Sequence, residues 1–133
     1  GGYLTPRSLR GQRVVLYFYP RDSTPGCTTQ ACEYRDALPQ FQAQGAAVFG
    51  ISKDSLASHE KFVAKHELNF PLLSDVDKAV HTAYGAWGEK TMYGKKTMGV
   101  LRTTVVIDAE GTVVAITRGV RAKGNAERTL ALL

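Results

Sequence analysis

The sequence is poor in cysteine and has no long hydrophobic run. Its two cysteines, Cys27 and Cys32, in 133 residues are far fewer than a small disulfide-stapled domain contains. Without histidines close by, they are also too few for a closed zinc site. The longest apolar run, residues 14–19, is too short for a membrane span or a signal-peptide core. We therefore expect either inert packing or thiol chemistry at the cysteines, no bound metal, and a cytoplasmic protein.

Concentrated positive charge is also absent. Seventeen Lys and Arg residues against twelve Asp and Glu give a net charge of +5, but only Lys95 and Lys96 are adjacent. A nucleic-acid surface usually shows a basic patch interleaved with aromatic residues, or a recognisable module, and neither is visible. The charge pattern favours a solvated surface. A redox-responsive DNA-binding protein is kept as an alternative.

The order of predicted elements indicates an α/β fold, in one domain that spans residues 1–133. Strand patterns alternate with helix patterns, which predicts parallel pairing, and a late hairpin adds antiparallel strands. The fold class expected is a three-layer sandwich with a mixed central sheet. A proline predicts a bend or break of the first helix near residue 39, and the glycine- and lysine-rich residues 86–100 are predicted to form a long loop. The predicted strands are residues 14–19, 46–52, 71–73, 103–107 and 112–118, and the predicted helices are residues 26–44, 54–66, 76–84 and 125–133.

Cys27 follows Pro25 and Gly26 in the first turn of the first predicted helix. The first N–H groups of a helix have no internal partner, and the helix dipole favours negative charge there. A thiol at this position is biased towards the nucleophilic thiolate. Thr24 can direct its hydroxyl to the same point, and Pro20 can shield the sulfur from bulk water.

Cys32 lies five residues further along the same helix. That spacing separates two positions by about 7.5 Å of rise and about 140° of rotation, beyond the roughly 7 Å between Cα atoms that a disulfide tolerates. A Cys27–Cys32 bond therefore requires the first turns to unwind. The spacing predicts a redox cycle with a local conformational change. Alternatively, Cys32 is a small core residue and an outside thiol acts instead.

The segment YFYPRDSTPGCTTQAC, residues 17–32, resembles a peroxiredoxin active site. It carries Pro-x3-Thr-x2-Cys at Pro20, Thr24 and Cys27. The run Thr-Pro-Gly-Cys-Thr-x-Gln-Ala-Cys is most similar to the bacterioferritin comigratory protein, or peroxiredoxin Q, subfamily. Further matches cover nearly the whole chain, at residues 50–52, 72–75, 84–90 and 102–108.

The resemblance implies a thioredoxin-like fold and the reduction of hydrogen peroxide and organic hydroperoxides. It implies that Cys27 is the peroxidatic cysteine and Cys32 the resolving cysteine, and that an external dithiol such as thioredoxin restores both. It implies no cofactor and a monomer. The competing enzyme class, a thioredoxin-like disulfide oxidoreductase, requires Cys-x-x-Cys, and the spacing here is two residues longer.

The resemblance also assigns residues around the sulfur. Thr24 is expected to hydrogen-bond the thiolate and the peroxide, and Arg102 to stabilise the thiolate and the developing charge. Pro20 and Gly26 are expected to line the substrate pocket. Gln30 stands where many other peroxiredoxins have Glu.

Two expectations concern other parts of the chain. Family members usually begin further upstream with a strand pair, so we expect a truncated N-terminal edge. The three histidines, His59, His66 and His81, have no metal-ligand spacing and are expected to be solvated helix residues.

Overall fold

The computed structural model describes residues 11–133, apart from the side chain of Met92. The expected loss of an N-terminal strand pair concerns the part of the chain outside these residues. The elements in chain order are β1 Arg13–Phe18, α1 Pro25–Ala43, β2 Ala46–Ser52, α2 Leu56–His66, β3 Leu72–Ser74, α3 Ala79–Ala83, β4 Trp87–Met92, β5 Lys95–Val100, β6 Thr103–Ile107, β7 Val113–Arg118 and α4 Asn125–Leu130.

The central sheet has five strands in the order β3-β2-β1-β6-β7. Strands β1, β2 and β3 pair in parallel because α1 and α2 return the chain to the same end of the sheet. β6 pairs antiparallel with both β1 and β7. The mixed sheet with flanking helices confirms the predicted α/β fold class.

β1 lies at the centre of the sheet and is buried on both faces. Val15 and Tyr17 pack with α1, α2 and α4 on one face, whereas Val14, Leu16 and Phe18 belong to a second cluster on the other face. A strand covered on both sides is apolar at every position. This explains the continuous apolar run from which the strand was predicted.

α1 continues unbroken through Pro39, so the predicted break is wrong. Proline has no backbone N–H, and its presence in a helix leaves the carbonyl four residues earlier without its usual donor. Here that carbonyl belongs to Arg35, and the side-chain amide of Asn69 donates to it at 3.1 Å. The hydrogen bond from Asn69 takes the place of the missing one, so the helix continues past Pro39.

The prediction of a loop at residues 86–100 is also wrong, because β4 and β5 form a separate antiparallel hairpin. Its two turn residues, Tyr93 and Gly94, both have positive φ, at 53° and 79°, as a type I′ hairpin turn requires. Most of β5 is exposed, so the strands lack the alternating apolar pattern that signals a half-buried strand. The third and last helices are shorter than predicted, and α3 begins only after Lys78, whose φ is 63°.

Two histidines predicted to be solvated are buried. His59 is 3% exposed and His81 is fully buried, while His66 is half-buried. Each buried ring is paired with a buried carboxylate: His59 Nδ1 lies 2.7 Å from Asp22, and His81 Nδ1 lies 2.7 Å from Asp75. Each ring is hydrogen-bonded at Nδ1, which offsets the cost of burying it, but the buried Nε2 of His81 has no hydrogen-bond partner within the described residues.

The carboxylate of Asp22 is the centre of a buried polar cluster. Oδ1 accepts a hydrogen bond from the Tyr19 hydroxyl at 2.5 Å, and Oδ2 accepts from Ser58 Oγ at 2.8 Å and from His59. The other ring nitrogen of His59 lies 3.0 Å from the carbonyl oxygen of Leu73. Both ring nitrogens face oxygen atoms, and the imidazolium form of His59, which donates from both, satisfies this arrangement.

The pKa shifts of the pair agree with this geometry. Burial alone would lower the pKa of His59, but its hydrogen bond to Asp22 and the charge of that carboxylate outweigh burial and raise it. Burial would raise the pKa of Asp22, but hydrogen bonds from His59, Tyr19 and Ser58 lower it. Both shifts favour the charged pair.

We expect Asp22→Asn to lower the free energy of unfolding by about 3 kcal/mol, because it leaves one partner of a buried ion pair. The difference from the wild type should be largest between about pH 4 and pH 6.5, above the unfolded pKa of Asp and below that of His. It should shrink as the pH falls through the lowered Asp22 pKa, and as the pH rises through the raised His59 pKa. Urea unfolding followed by circular dichroism across this range measures it. A difference independent of pH would contradict an ion pair.

Candidate active site

Cys27 lies at the carboxyl end of the central strand, in the first turn of α1. Thr24 precedes the helix with an extended backbone, and Pro25 occupies its first position, where a missing N–H costs nothing. The side chain of Cys27 is 1% exposed. The sulfur is therefore buried at the positive end of a helix, as the sequence predicted.

Arg102 reaches this sulfur from the neighbouring strand. The pairing of Phe18 with Thr103 brings the start of β6 beside the end of β1, and Arg102 is the residue immediately before β6. Its Nη2 lies 3.4 Å from Cys27 Sγ, and its Nη1 donates a hydrogen bond to the side-chain oxygen of Gln30. The structure thus brings together two residues predicted for the site that are 75 positions apart.

The amide of Gln30 is oriented by a buried hydrogen-bond network. Its Nε2 donates to Asn125 Oδ1 at 2.9 Å, so its oxygen faces the guanidinium of Arg102. Asn125 Oδ1 also accepts from the Tyr34 hydroxyl at 2.7 Å, and Asn125 Nδ2 donates to Thr104 Oγ1 at 3.1 Å. The position of Arg102 is therefore fixed from the interior of the protein.

Thr24 is close to Cys27 in sequence, but its hydroxyl makes a different contact from the one predicted. Its hydroxyl donates to the carbonyl oxygen of Arg21 at 2.9 Å, and within residues 11–133 no hydrogen bond joins it to Cys27. Since the hydroxyl proton is used, the lone pairs of Oγ1 remain for a donor. The role of Thr24 stays a prediction.

Gly26 leaves space beside the guanidinium. A methyl group there would lie 3.6 Å from Arg102 Nη2 and 3.9 Å from the Ala122 side chain, so a larger side chain would fill the gap. Pro20 is half-buried at the start of the loop. These positions are compatible with the pocket-lining role predicted for both residues.

Both cysteines are free, and the helix that carries them is intact. Cys32 is half-buried on α1. The intact helix is the state in which the sequence excluded a disulfide between them. The structure therefore has the geometry of a reduced site.

Sequence reasoning missed one contributor to this site. Asn125 was predicted only as the start of the last helix. A single sequence contains no signal that Asn125 reaches Gln30, 95 positions away.

Within the part of the chain that the structure describes, no group of three or more His, Cys, Asp or Glu side chains could hold a metal ion. None of the helices in residues 11–133 is long and apolar enough to cross a membrane.

Comparison with known proteins agrees with the resemblance read from the motif. The family described as the AhpC/TSA family matches residues 1–116. Peroxiredoxin Bcp of Xanthomonas campestris is 44% identical over 133 residues, covering 100% of this chain and 83% of the relative. Peroxiredoxin Bcp of Bacillus subtilis is 42% identical over 124 residues, covering 93% of this chain and 79% of the relative.

Solved structures agree in fold. A structure of the Xanthomonas campestris bacterioferritin comigratory protein, from work on its alkyl peroxide reduction activity, has a TM-score of 0.90 at 44% identity, covering 95% of this chain and 80% of that chain. Peroxidoxin BcpB of Mycobacterium tuberculosis has a TM-score of 0.81 at 35% identity, with the same coverage. The predicted thioredoxin-like fold is confirmed, and the chain belongs to the AhpC/TSA family as a peroxiredoxin of the Bcp, or peroxiredoxin Q, type.

Proposed function

We propose that this protein is a thiol peroxidase that reduces hydrogen peroxide and organic hydroperoxides. The observation that carries the proposal is the contact of 3.4 Å between the Arg102 guanidinium and the sulfur of Cys27. A cation beside a sulfur at a helix N-terminus stabilises the thiolate. The activity named for the similar Xanthomonas protein, alkyl peroxide reduction, supports the same chemistry here.

In the first step, the Cys27 thiolate attacks one oxygen of the hydroperoxide. An S–O bond forms, the O–O bond breaks, and the leaving alkoxide or hydroxide takes a proton from water. Cys27 is oxidised by two electrons to a sulfenic acid, and the peroxide is reduced to an alcohol or water. Arg102 and the N–H groups of the first helical turn stabilise the charge that passes between the oxygens.

Thr24 is suited to orienting the peroxide in this step. Its hydroxyl proton is engaged by the Arg21 carbonyl, so its oxygen can accept the hydroperoxide proton. Such a hydrogen bond would position the substrate beside Cys27. Pro20 and Gly26 would then bound the pocket in which the peroxide lies.

In the second step, the Cys32 thiolate attacks the sulfenic acid sulfur. A disulfide forms and hydroxide leaves, to be protonated to water. Because the intact helix separates the cysteines, the start of α1 must unwind, and Gln30 must leave Asn125 as it does so. An external dithiol, for which we propose thioredoxin, then reduces the disulfide by exchange. The protein needs no cofactor for this cycle and acts as a cytoplasmic monomer.

One equivalent of hydrogen peroxide should remove about 2 Da from the reduced protein and join Cys27 and Cys32 in one peptide. Cys27→Ser should abolish peroxide consumption, and Cys32→Ser should gain about 16 or 32 Da on Cys27. Intact-protein and peptide mass spectrometry distinguish these products. Peroxide consumption that survives Cys27→Ser would exclude the proposed nucleophile. Reduction of insulin without peroxide consumption would favour the disulfide-oxidoreductase alternative.

We expect Arg102→Lys to slow the oxidation of Cys27 by about 100-fold, the cost of losing one precisely placed donor. Lysine keeps the charge, but it cannot reach both Cys27 and Gln30 as the planar guanidinium does. Stopped-flow measurement of the second-order rate constant with hydrogen peroxide tests this expectation.

Arg118→Lys is the matched control for that substitution. Arg118 is exposed, its guanidinium donates to the backbone carbonyls of Tyr84 and Gly85, and within residues 11–133 it makes no hydrogen bond to Cys27. The rate constant of Arg118→Lys should stay within about twofold of that of the wild type, as is usual for a surface substitution. Equal losses of the rate constant in the two variants would show that the planar guanidinium of Arg102 has no special role.

A further inference from the structure

The loop between β1 and α1, residues 19–24, is fixed to α2 through Asp22. Its neighbours Arg21 and Ser23 are exposed, and the Thr24 hydroxyl bonds within the loop, whereas Asp22 is 5% exposed. Two of the three side chains that donate to the Asp22 carboxylate, Ser58 and His59, belong to α2. Tyr19, at the start of the loop, is buried in the core, so Asp22 is the buried residue that docks the second half of the loop on α2.

The backbone of Asp22 makes a further contact. Its N–H donates to Asp54 Oδ2 at 2.9 Å, and this oxygen also accepts from Ser52 Oγ at 2.6 Å. The carbonyl oxygen of Asp54 in turn accepts from Ser74 Oγ at 2.5 Å. The docking point is thus tied to the carboxyl ends of β2 and β3, which are parts of the central sheet.

The backbone turns sharply immediately after this point. Ser23 has a φ of +64°, in the left-handed region, which is strained for a residue other than glycine. The contacts of Asp22 offset that strain. Because α1 begins two residues later, the position of Cys27 relative to Arg102 depends on where Asp22 is docked.

We propose that Asp22 and His59 are positioning residues for the reaction at Cys27, and that Ser23 is the hinge about which the start of α1 opens. The buried ion pair keeps residues 19–22 against α2, so that Cys27 lies beside Arg102 when the peroxide arrives. When the helix start unwinds, the docked residues stay in place and only the chain beyond Ser23 moves. This inference rests on the proposed peroxidase function.

The second buried pair provides a matched control. Asp75 and His81 are also 2.7 Å apart and buried. The ring of His81 packs edge-on against Phe18, which belongs to the cluster on the opposite face from Cys27. Substitutions in this pair should lower stability without moving the loop before α1.

The test compares Asp22→Asn and His59→Gln with Asp75→Asn and His81→Gln. Iodoacetamide labels buried Cys27 only when the site opens, and peptide mass spectrometry of the reduced protein gives the rate. We expect the first two variants to label Cys27 at least about tenfold faster, because without the buried pair the loop before α1 can also leave α2, which gives a second route to an open site. The same variants should be oxidised by hydrogen peroxide about tenfold more slowly, whereas disulfide formation should not slow.

The opposite directions of these changes identify a positioning role. Loss of thiolate would slow both labelling and oxidation, and general destabilisation would affect both pairs alike. The control variants should leave both rates close to those of the wild type, because within residues 11–133 neither Asp75 nor His81 is hydrogen-bonded to residues 19–24. Equal effects in the two pairs, or unchanged labelling in Asp22→Asn, would overturn the inference.

Milder variants keep the test usable if Asp22→Asn does not fold. Tyr19→Phe and Ser58→Ala each remove one donor to the carboxylate and leave the ion pair, so they should give smaller changes in the same directions. If the wild type fails to react with hydrogen peroxide, the proposed function fails. The labelling comparison tests the docking of the loop even then.

Discussion

The guanidinium of Arg102 can face Cys27 because Gln30 presents its amide oxygen to it. A buried amide must satisfy both of its ends, and Asn125 takes the nitrogen end. Asn125 is fixed in turn by Tyr34 and by a strand of the central sheet. The orientation of one amide thus connects the interior of the fold to the reacting sulfur, and its loss would leave a cation without its partner.

The segment around Cys27 is held from two sides by different kinds of contact. On the α4 side, a network of neutral amides and hydroxyls fixes the helix through Gln30. On the α2 side, the buried ion pair of Asp22 and His59 fixes the loop before the helix. Unwinding of the helix start breaks the first set and can leave the second intact. The hydrogen bonds between neutral amides and hydroxyls are individually weaker than charge-assisted ones, which suits a contact that opens in the cycle proposed above.

The sequence predicted the parts of the structure that follow from local pattern. The apolar run at residues 14–19 predicted the central strand, and the position of Cys27 after Pro25 predicted a cysteine at a helix start. It could not predict contacts between distant elements. The hairpin of β4 and β5 was missed because its exposed strands lack an apolar face, and His59 was placed in solvent because its carboxylate partner lies 37 positions away. Polar residues are ambiguous in a single sequence, since burial depends on a partner that only the fold supplies.

The contact that carries α1 past Pro39 has a consequence for the helix as a whole. Asn69 binds the Arg35 carbonyl, and the Arg35 side chain donates to the carbonyl of His66 at 2.7 Å, so the second half of α1 is fastened to the end of α2 and the chain that follows it. The first half, which contains both cysteines, is fastened instead to α4 and to Arg102 through Gln30. The two halves of one continuous helix are therefore held by different neighbours and can open with different free energies. Amide hydrogen exchange that changes in rate at about Tyr34 would be the sign of this division.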